Sequence, residues 1–371
     1  MENAALVQVR EACLDDFTQV AALESRNGLE TKAREEWAHL WVNNPIYRQL
    51  GKNWPMGWVL EDSNRTIVGY LGNIPLSYEF EGKKLLTATS HAWVVDTRYR
   101  GYSILLLDYF FGQRNVDLYI TTTMNAEASE GFQFFGPLPV PVGEWDRPSF
   151  WVTNYAGFAS SLLKAKEIPF AKALSYPLSV PMFFKDLLNR RRLAEKRKQI
   201  DVEVCSDFDE RFDTFWEDLR RSRSQVMLSN RTREILDWHF KYALLRKQAW
   251  ILCVMEGSRL VAYSIFYCQD NAKFGLKRMR LADFQTLAND NSLLLPMLSW
   301  ALDRCRRTGI HMLEVMGLSS ERRQEVARLT PYRRQLNSWL SFYKTDNAQL
   351  SSKLKDPRVW DVSCFDGDSS L

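Results

Sequence analysis

Two consecutive α/β domains, each with a mixed α+β sheet, are what the sequence predicts, and three observations carry the prediction. At 371 residues the chain exceeds the size at which a single hydrophobic core stops growing. An order of strand, two helices, three strands, helix and strand runs through the first third of the chain and returns after residue 200. The two passages also agree in detail: Trp58-Val59-Leu60 with Ile67-Val68-Gly69-Tyr70, and Ile251-Leu252-Cys253-Val254 with Leu260-Val261-Ala262-Tyr263, each bracket a polar turn. The repeat unit is a whole domain, longer than a solenoid repeat.

The first passage opens with alternation over Leu6 to Arg10. Asp15-Asp16 then starts a helix carrying Phe17, Val20, Ala21 and Leu23 on one side. A second helix is expected over Ala33 to Trp41, stopped by Asn43-Asn44-Pro45. Strands follow at Trp58 to Glu61 and Thr66 to Asn73, then a β-rich run from Tyr78 through Gly82 to Val95, a helix from Ser103 to Gly112 and a strand from Leu118 to Thr123. The second passage predicts strand Val202 to Cys205, helices Phe212 to Arg221 and Arg233 to Leu244, and strands Trp250 to Met255, Leu260 to Tyr267 and Lys277 to Thr286. Helix Ser292 to Arg306 and strand His311 to Val315 complete it. The expected division is a first domain over 1–156, a basic and aromatic connector over 157–200, and a second domain over 201–371. Pro169, Pro177 and Pro181 predict that the connector is broken into short helical pieces. Its segment 180–198 pairs Phe183 and Phe184 with a run of arginines and lysines, a composition open to two readings: a solvated helix face or a peripheral contact with an anionic membrane.

Composition narrows the function classes. Apolar residues at 46% and charged residues at 25% describe an ordinary globular protein. A net charge of +4 gives no bulk argument for nucleic acid. The six cysteines form no CxxC pair and have no histidine at zinc-ligand spacing, so no metal site is expected. The charged N-terminal stretch lacks a long apolar core, and a reducing, cytoplasmic setting is the expectation.

The sharpest local signal is Val94-Val95-Asp96-Thr97-Arg98-Tyr99-Arg100-Gly101-Tyr102-Ser103, a strand that breaks into a basic turn and feeds an apolar helix. A helix start presents unpaired N–H groups and a positive dipole end, Gly101 permits close approach, and Arg98 and Arg100 add charge, a combination suited to phosphate oxygens. An ordinary strand-to-helix turn with a capping serine is the other reading of the same residues.

This stretch resembles the acyl-CoA pyrophosphate loop of the GNAT superfamily, with Arg98, Gly101 and Ser103 at the three motif positions and serine in place of the usual glycine or alanine. The resemblance covers roughly residues 4 to 140 in order of elements and implies tandem GNAT folds, an acyl-CoA co-substrate such as acetyl-CoA, and transfer to an amine. It implies that Trp93, Val94 and Val95 offer backbone groups to the pantetheine arm, that Tyr102 borders the loop, and that Asn125 and Gly136 fit the frame after the next strand. The position where the family carries a proton-donating tyrosine is Phe132, which has no proton to give; Tyr102, Tyr119 or unassisted thiolate departure are the replacements. His91, Asp96 and Glu127 are the candidate bases. The loop-equivalent in the second half, Leu287-Ala288-Asn289-Asp290-Asn291, lacks arginine and glycine and is expected to bind coenzyme poorly.

The tail, Trp360-Asp361-Val362-Ser363-Cys364-Phe365-Asp366-Gly367-Asp368-Ser369, is similar to endings of acyltransferase-like proteins of polysaccharide clusters, which implies an amino sugar or glycan precursor as acceptor, with Asp366 and Asp368 binding it. A non-catalytic binding protein and a Fem-like aminoacyl transferase are the alternatives.

Overall fold

The computed structural model describes residues 7–143, 147–195, 200–287, 290–336 and 339–371, without the side chains of residues 52 and 188–195. The first half contains β1 (Gln8–Glu11), α1 (Phe17–Arg26), α2 (Arg34–Val42), α3 (Pro45–Leu50), β2 (Gly57–Glu61), β3 (Ile67–Phe80), β4 (Lys83–Val95), α4 (Ser103–Phe111), β5 (Leu118–Met124), α5 (Ala126–Gln133), β6 (Leu138–Pro139) and β7 (Ser149–Val152). A helical hairpin, α6 (Tyr155–Ala165) and α7 (Ala171–Glu195), leads on. The second half contains β8 (Glu203–Cys205), α8 (Glu210–Ser222), β9 (Leu228–Ser229), α9 (Arg233–Leu245), β10 (Ala249–Glu256), β11 (Arg259–Cys268), β12 (Arg278–Thr286), α10 (Leu294–Thr308), β13 (Met312–Val315), α11 (Ser320–Leu329), β14 (Tyr332–Arg333), β15 (Leu340–Lys344) and α12 (Ala348–Lys353).

The local order expected from the sequence is present in both halves, including the antiparallel β2–β3–β4 and β10–β11–β12 runs, each followed by a helix and a parallel strand. What the sequence order hides is an exchange of strands. β15, from the second half, lies antiparallel to β5 in the first sheet, whose order is β1-β2-β3-β4-β5-β15-β6. β7, inside the expected first domain, lies antiparallel to β13 in the second sheet, whose order is β14-β7-β13-β12-β11-β10-β8. Each sheet therefore holds a strand from the other half, inserted beside its edge strand β6 or β14.

Both sheets bury two faces. Ile251 and Cys253 of β10 join Phe212, Phe215, Trp216 and Leu236 of α8 and α9, while Leu252 and Val254 join Leu298 and Leu302 of α10 on the opposite face. In the first sheet Tyr70 and Ile74 meet Leu23, Trp37 and Trp41 of α1 and α2, and Leu71 and Val68 meet Leu106 and Phe110 of α4.

The connector departs from expectation. It contains one 25-residue helix, α7, which continues through Pro177 and Pro181. Both prolines are exposed, so their rings project outward and the helix packs along its other side.

After β15 the chain returns between the halves. Trp360 bridges to Met227 and Leu318 N–H donates to the Val362 carbonyl. Asp361 is buried and receives Arg322 at 3.0 Å and Arg223 at 2.6 Å. Two glycines make the passage possible. Gly317 has φ +72°, and a Cβ on it would come 3.0 Å from Ser363 Cα; Gly367 has φ +63°, and a Cβ there would come 2.5 Å from Thr122 Oγ1. Gly367→Ala is accordingly expected to cost about 2–3 kcal/mol of unfolding free energy, measurable by urea titration.

The tail also carries a pH signature. Asp366 is buried, accepts Tyr78 O–H at 2.9 Å and Ser363 N–H at 2.7 Å, and burial pushes its carboxyl up to about 6 against the opposing pull of Arg231. A carboxyl whose folded pKa is raised holds its proton longer in the native state, so its contribution falls as pH rises from about 4 to about 6 and is constant above. The stability of the native chain relative to Asp366→Asn should decline across that window in thermal melts and then level off.

Candidate active site

The site begins where β4 and β5 part. Their parallel pairing is confined to Thr87–Leu118, Ala88–Tyr119 and Thr89–Ile120. Ser90 Oγ and Thr121 Oγ1, 3.2 Å apart, close the fork, and from there to Val95, among the described residues, β4 has a strand partner on its β3 side alone. The β3–β4 register shifts between Tyr70–Val94 and Gly72–His91, which leaves one extra residue on β4. Ala92, at φ +52°, sits in that bulge. Strict alternation from His91 to Val95 is therefore broken. His91 lines an inter-half cavity, whereas Trp93 turns to α5 and stands 3.4 Å from where Gly131 would carry a Cβ.

At the outer end of the fork, Thr97–Tyr102 form a 3₁₀ turn running into α4. Thr97, Arg98, Arg100 and Gly101 are exposed, and a Cβ on Gly101 would meet nothing within 4 Å. Leu106, Leu107, Phe110 and Phe111 bury the opposite face of α4 and hold this helix start in place. Tyr102 and Ser103 are half-buried beside the turn. Across the fork Asn125 caps α5, its Oδ1 accepting the Ala128 N–H at 2.7 Å. Arg100 reaches Glu127 in the first turn of α5 at 3.3 Å.

That geometry revises three expectations. Glu127, 82% exposed, stands on the outer rim opposite Arg100 and away from the cavity, so it is badly placed to receive a proton there. Asp96 is held by Arg26 at 2.6 Å and by Asn27 Nδ2 at 2.9 Å; the Arg26 guanidinium keeps its carboxyl below the usual range, which makes it an anchor between β4 and α1 and a poor base. Asp366 faces Tyr78 inside the protein and is closed to a substrate. Among the replacements for the missing tyrosine, Tyr119 is buried and its hydroxyl faces the Phe111 and Gln113 carbonyls. Phe132 packs against Phe111 and Phe342 in the core.

The fork and the tail bring together two candidates far apart in sequence. Asp368 accepts Thr123 Oγ1 at 3.1 Å and Thr122 Oγ1 at 3.2 Å, which fixes it on β5, and its Oδ2 lies 3.6 Å from His91 Nδ1 on β4. Their side chains are 10% and 14% exposed. Both line a cavity of about 720 Å³ between the halves. Its walls include Trp37 and Glu36 of α2, Trp238, His239 and Tyr242 of α9, Tyr267 of β11 and Ser369 to Leu371. His239 is buried, which drives its pKa down to about 3, and its Nε2 lies 2.7 Å from Ser370 Oγ; it is a neutral wall residue at pH 7.

Sequence reasoning missed Glu24. It lines this cavity from α1, is 5% exposed, and burial raises its pKa. The available signal was a carboxylate on the apolar stripe of α1, one turn after Val20 and beside Leu23. The lining carries four carboxylates, Glu24, Glu30, Glu36 and Asp368, against the cations Lys32 and Arg246, an electrostatic bias toward cationic ligands.

Among the described residues the second half shows no equivalent opening at its own fork. β12 and β13 pair from Arg278–Met312 to Arg280–Glu314. Beyond them the tail lies against Gly317 and Leu318, and Arg322, at the start of α11, is spent on Asn291 at 2.7 Å and Asp361 at 3.0 Å. Glu314 on that strand is held down to about 2 by Arg280, Arg334 and Arg278 despite its burial. Ala288 and Asn289 lie outside the described residues. Among the described residues no group of three or more His, Cys, Asp or Glu is arranged to hold a metal.

No family model matches the chain, and no curated protein matches it. Solved structures do. Saccharomyces cerevisiae N-myristoyltransferase with bound myristoyl-CoA superimposes with TM-score 0.57 at 11% identity, over 93% of this chain and 80% of that one. A GCN5-related N-acetyltransferase from Anabaena variabilis ATCC 29413 gives 0.52 at 11% identity over 92% and 73%, and one from Kribbella flavida gives 0.55 at 9% over 94% and 73%. At such identities the likeness speaks for architecture alone. The chain is a tandem GNAT fold, two mixed α/β domains that exchange strands.

Proposed function

We propose that the protein is an acyl-CoA-dependent N-acyltransferase: the coenzyme enters the fork of the first half, and an amine acceptor approaches from the cavity between the halves. The observation that carries this reading is the continuity of an exposed cationic helix start, an unpaired β4 edge and a carboxylate–histidine pair at the fork. Arg98 and the turn around Gly101 and Ser103 suit a diphosphate. Backbone groups of Trp93, Val94 and Val95 on the free edge suit the amide-rich pantetheine arm, and a strand N–H there suits the carbonyl oxygen as it gains charge. The bound myristoyl-CoA of the yeast structure is in keeping with a thioester donor in this fold. Acetyl is the simplest acyl group for the reaction.

In this reading the acceptor arrives as an ammonium ion attracted by the carboxylate-rich walls. His91 takes its proton, with Asp368 opposing the imidazolium charge that results. The neutral amine attacks the thioester carbon, the C–N bond forms and the C–S bond breaks; coenzyme A leaves as a thiolate, whose low basicity needs no tyrosine, and the proton shed by the nitrogen as the amide forms passes to that thiolate or to solvent. An amino sugar or a glycan precursor remains the acceptor class to test first. The rival reading, a binding protein that has lost the reaction, draws on Phe132 at the tyrosine position.

Calorimetry with acetyl-CoA should show binding that Arg98→Glu weakens by about 10-fold or more, the scale of losing a charge-assisted contact. Absence of binding by the native chain contradicts the proposal. With an amino-sugar panel and thiol release as the readout, His91→Ala should lower kcat by about 100-fold while leaving acetyl-CoA affinity unchanged. Undiminished turnover removes His91 from the mechanism, and binding without turnover on any amine favours the rival.

A further inference from the structure

The α6–α7 hairpin presents a surface that a water-exposed element does not need. Its inner side is accounted for: Ala171, Ser175 and Asp186 of α7 are buried, the Tyr155 hydroxyl donates to Asp186 Oδ2 at 2.9 Å, and the Tyr332 hydroxyl donates to the Met182 carbonyl at 3.5 Å. The outer side holds two i, i+4 rows, Phe170–Leu174–Leu178 and Tyr176–Val180–Phe184, all exposed. At 3.6 residues per turn these rows cover an arc of about 200°. An amphipathic helix places its polar residues there; α7 places apolar and aromatic ones.

The turn adds a second observation. Phe170 stands where the hairpin reverses, its carbonyl accepting the Ala173 and Leu174 N–H groups that start α7. Its φ is +57° and it is 83% exposed. A bulky side chain in the left-handed region is strained, and nothing inside the protein is gained by holding this ring in water.

The charge on the hairpin identifies the occupant. Lys164, Lys166 and Lys172 are exposed beside the apolar rows, with Glu167 the exposed acidic residue among them. The sequence then runs on through Arg190-Arg191-Arg192 and Lys196-Arg197-Lys198, whose side chains lie outside the described residues. Apolar insertion plus clustered cations is the two-part attraction that holds a protein on an anionic bilayer. No helix among the described residues is long and apolar enough to cross a membrane. We infer that the outer face of α6–α7, led by Phe170 and Phe184, docks the protein onto an anionic lipid surface, with α7 lying in the plane of the interface. This inference is independent of the acyltransferase reading.

Flotation of the full chain with vesicles tests it. The protein should float with phosphatidylcholine vesicles carrying about 30% phosphatidylglycerol and stay down with phosphatidylcholine alone. Raising salt from about 0.1 to about 0.5 M should cut the bound fraction several-fold. Phe170→Ser with Phe184→Ser should reduce binding by about 10-fold or more while leaving the melting curve unchanged, since exposed positions contribute little to folding. A second variant, Lys164→Glu with Lys172→Glu, should weaken it independently. Native protein that does not float, or phenylalanine variants that float equally well, would overturn the inference. So would light scattering that shows a dimer which the same phenylalanine substitutions dissolve, because the face would then be a contact between copies.

Discussion

The structure depends on one constraint: the segment from Trp360 to Leu371 must pass between the halves, buried, with its carboxylates satisfied. Asp361 is neutralised by Arg322 and Arg223, and Asp366 accepts hydrogen bonds from Tyr78 and Ser363. Burying such groups without these partners would cost several kcal/mol each, so the path is tightly specified. Gly317 and Gly367 mark the two points where it touches a sheet with no room for a side chain. Because the tail touches both forks, it sets their difference. In the second half it covers the space beside Arg322; in the first it stops short of filling the fork and places Asp368 opposite His91.

That asymmetry accounts for a tandem fold with one proposed site. The strand exchange ties β15 to β5 and β7 to β13, so neither sheet is complete without chain from the other half. The cavity at the seam is then a fixed feature, lined by α1 and α2 from one side and α9 and β11 from the other. Walls built from both halves suit the proposed reaction, whose main demand is to hold an amine and a thioester carbon in line.

Much of this was legible in the sequence because it is local. Hydrophobic periodicity located both strand–helix series, and Arg98 and Gly101 lie in an exposed 3₁₀ turn that runs into α4 at the half-buried Ser103. His91 and Asp368 stood out in the sequence separately, as a candidate base and a candidate acceptor ligand; their meeting did not, since it arises from a tail that passes between the halves. The exchange of β7 and β15 was hidden for the same reason: pairing between distant strands leaves no local pattern. A bulge at Ala92 turned His91 and Trp93 apart, which period-two reasoning cannot foresee. Arg26 claimed Asp96, and solvent claimed Glu127, each through contacts that spacing does not encode. The prolines of α7 misled in the opposite direction, because an exposed helix face tolerates rings that a packed one does not.

Amide hydrogen exchange with and without acetyl-CoA addresses the central claim most directly, because it reports where a ligand quiets the backbone. The account predicts slowed exchange over 93–106 and 118–128, with the corresponding second-half segments, 278–287 and 290–298, unchanged. Protection confined to the second half, or none around residue 101 at saturating ligand, would contradict it.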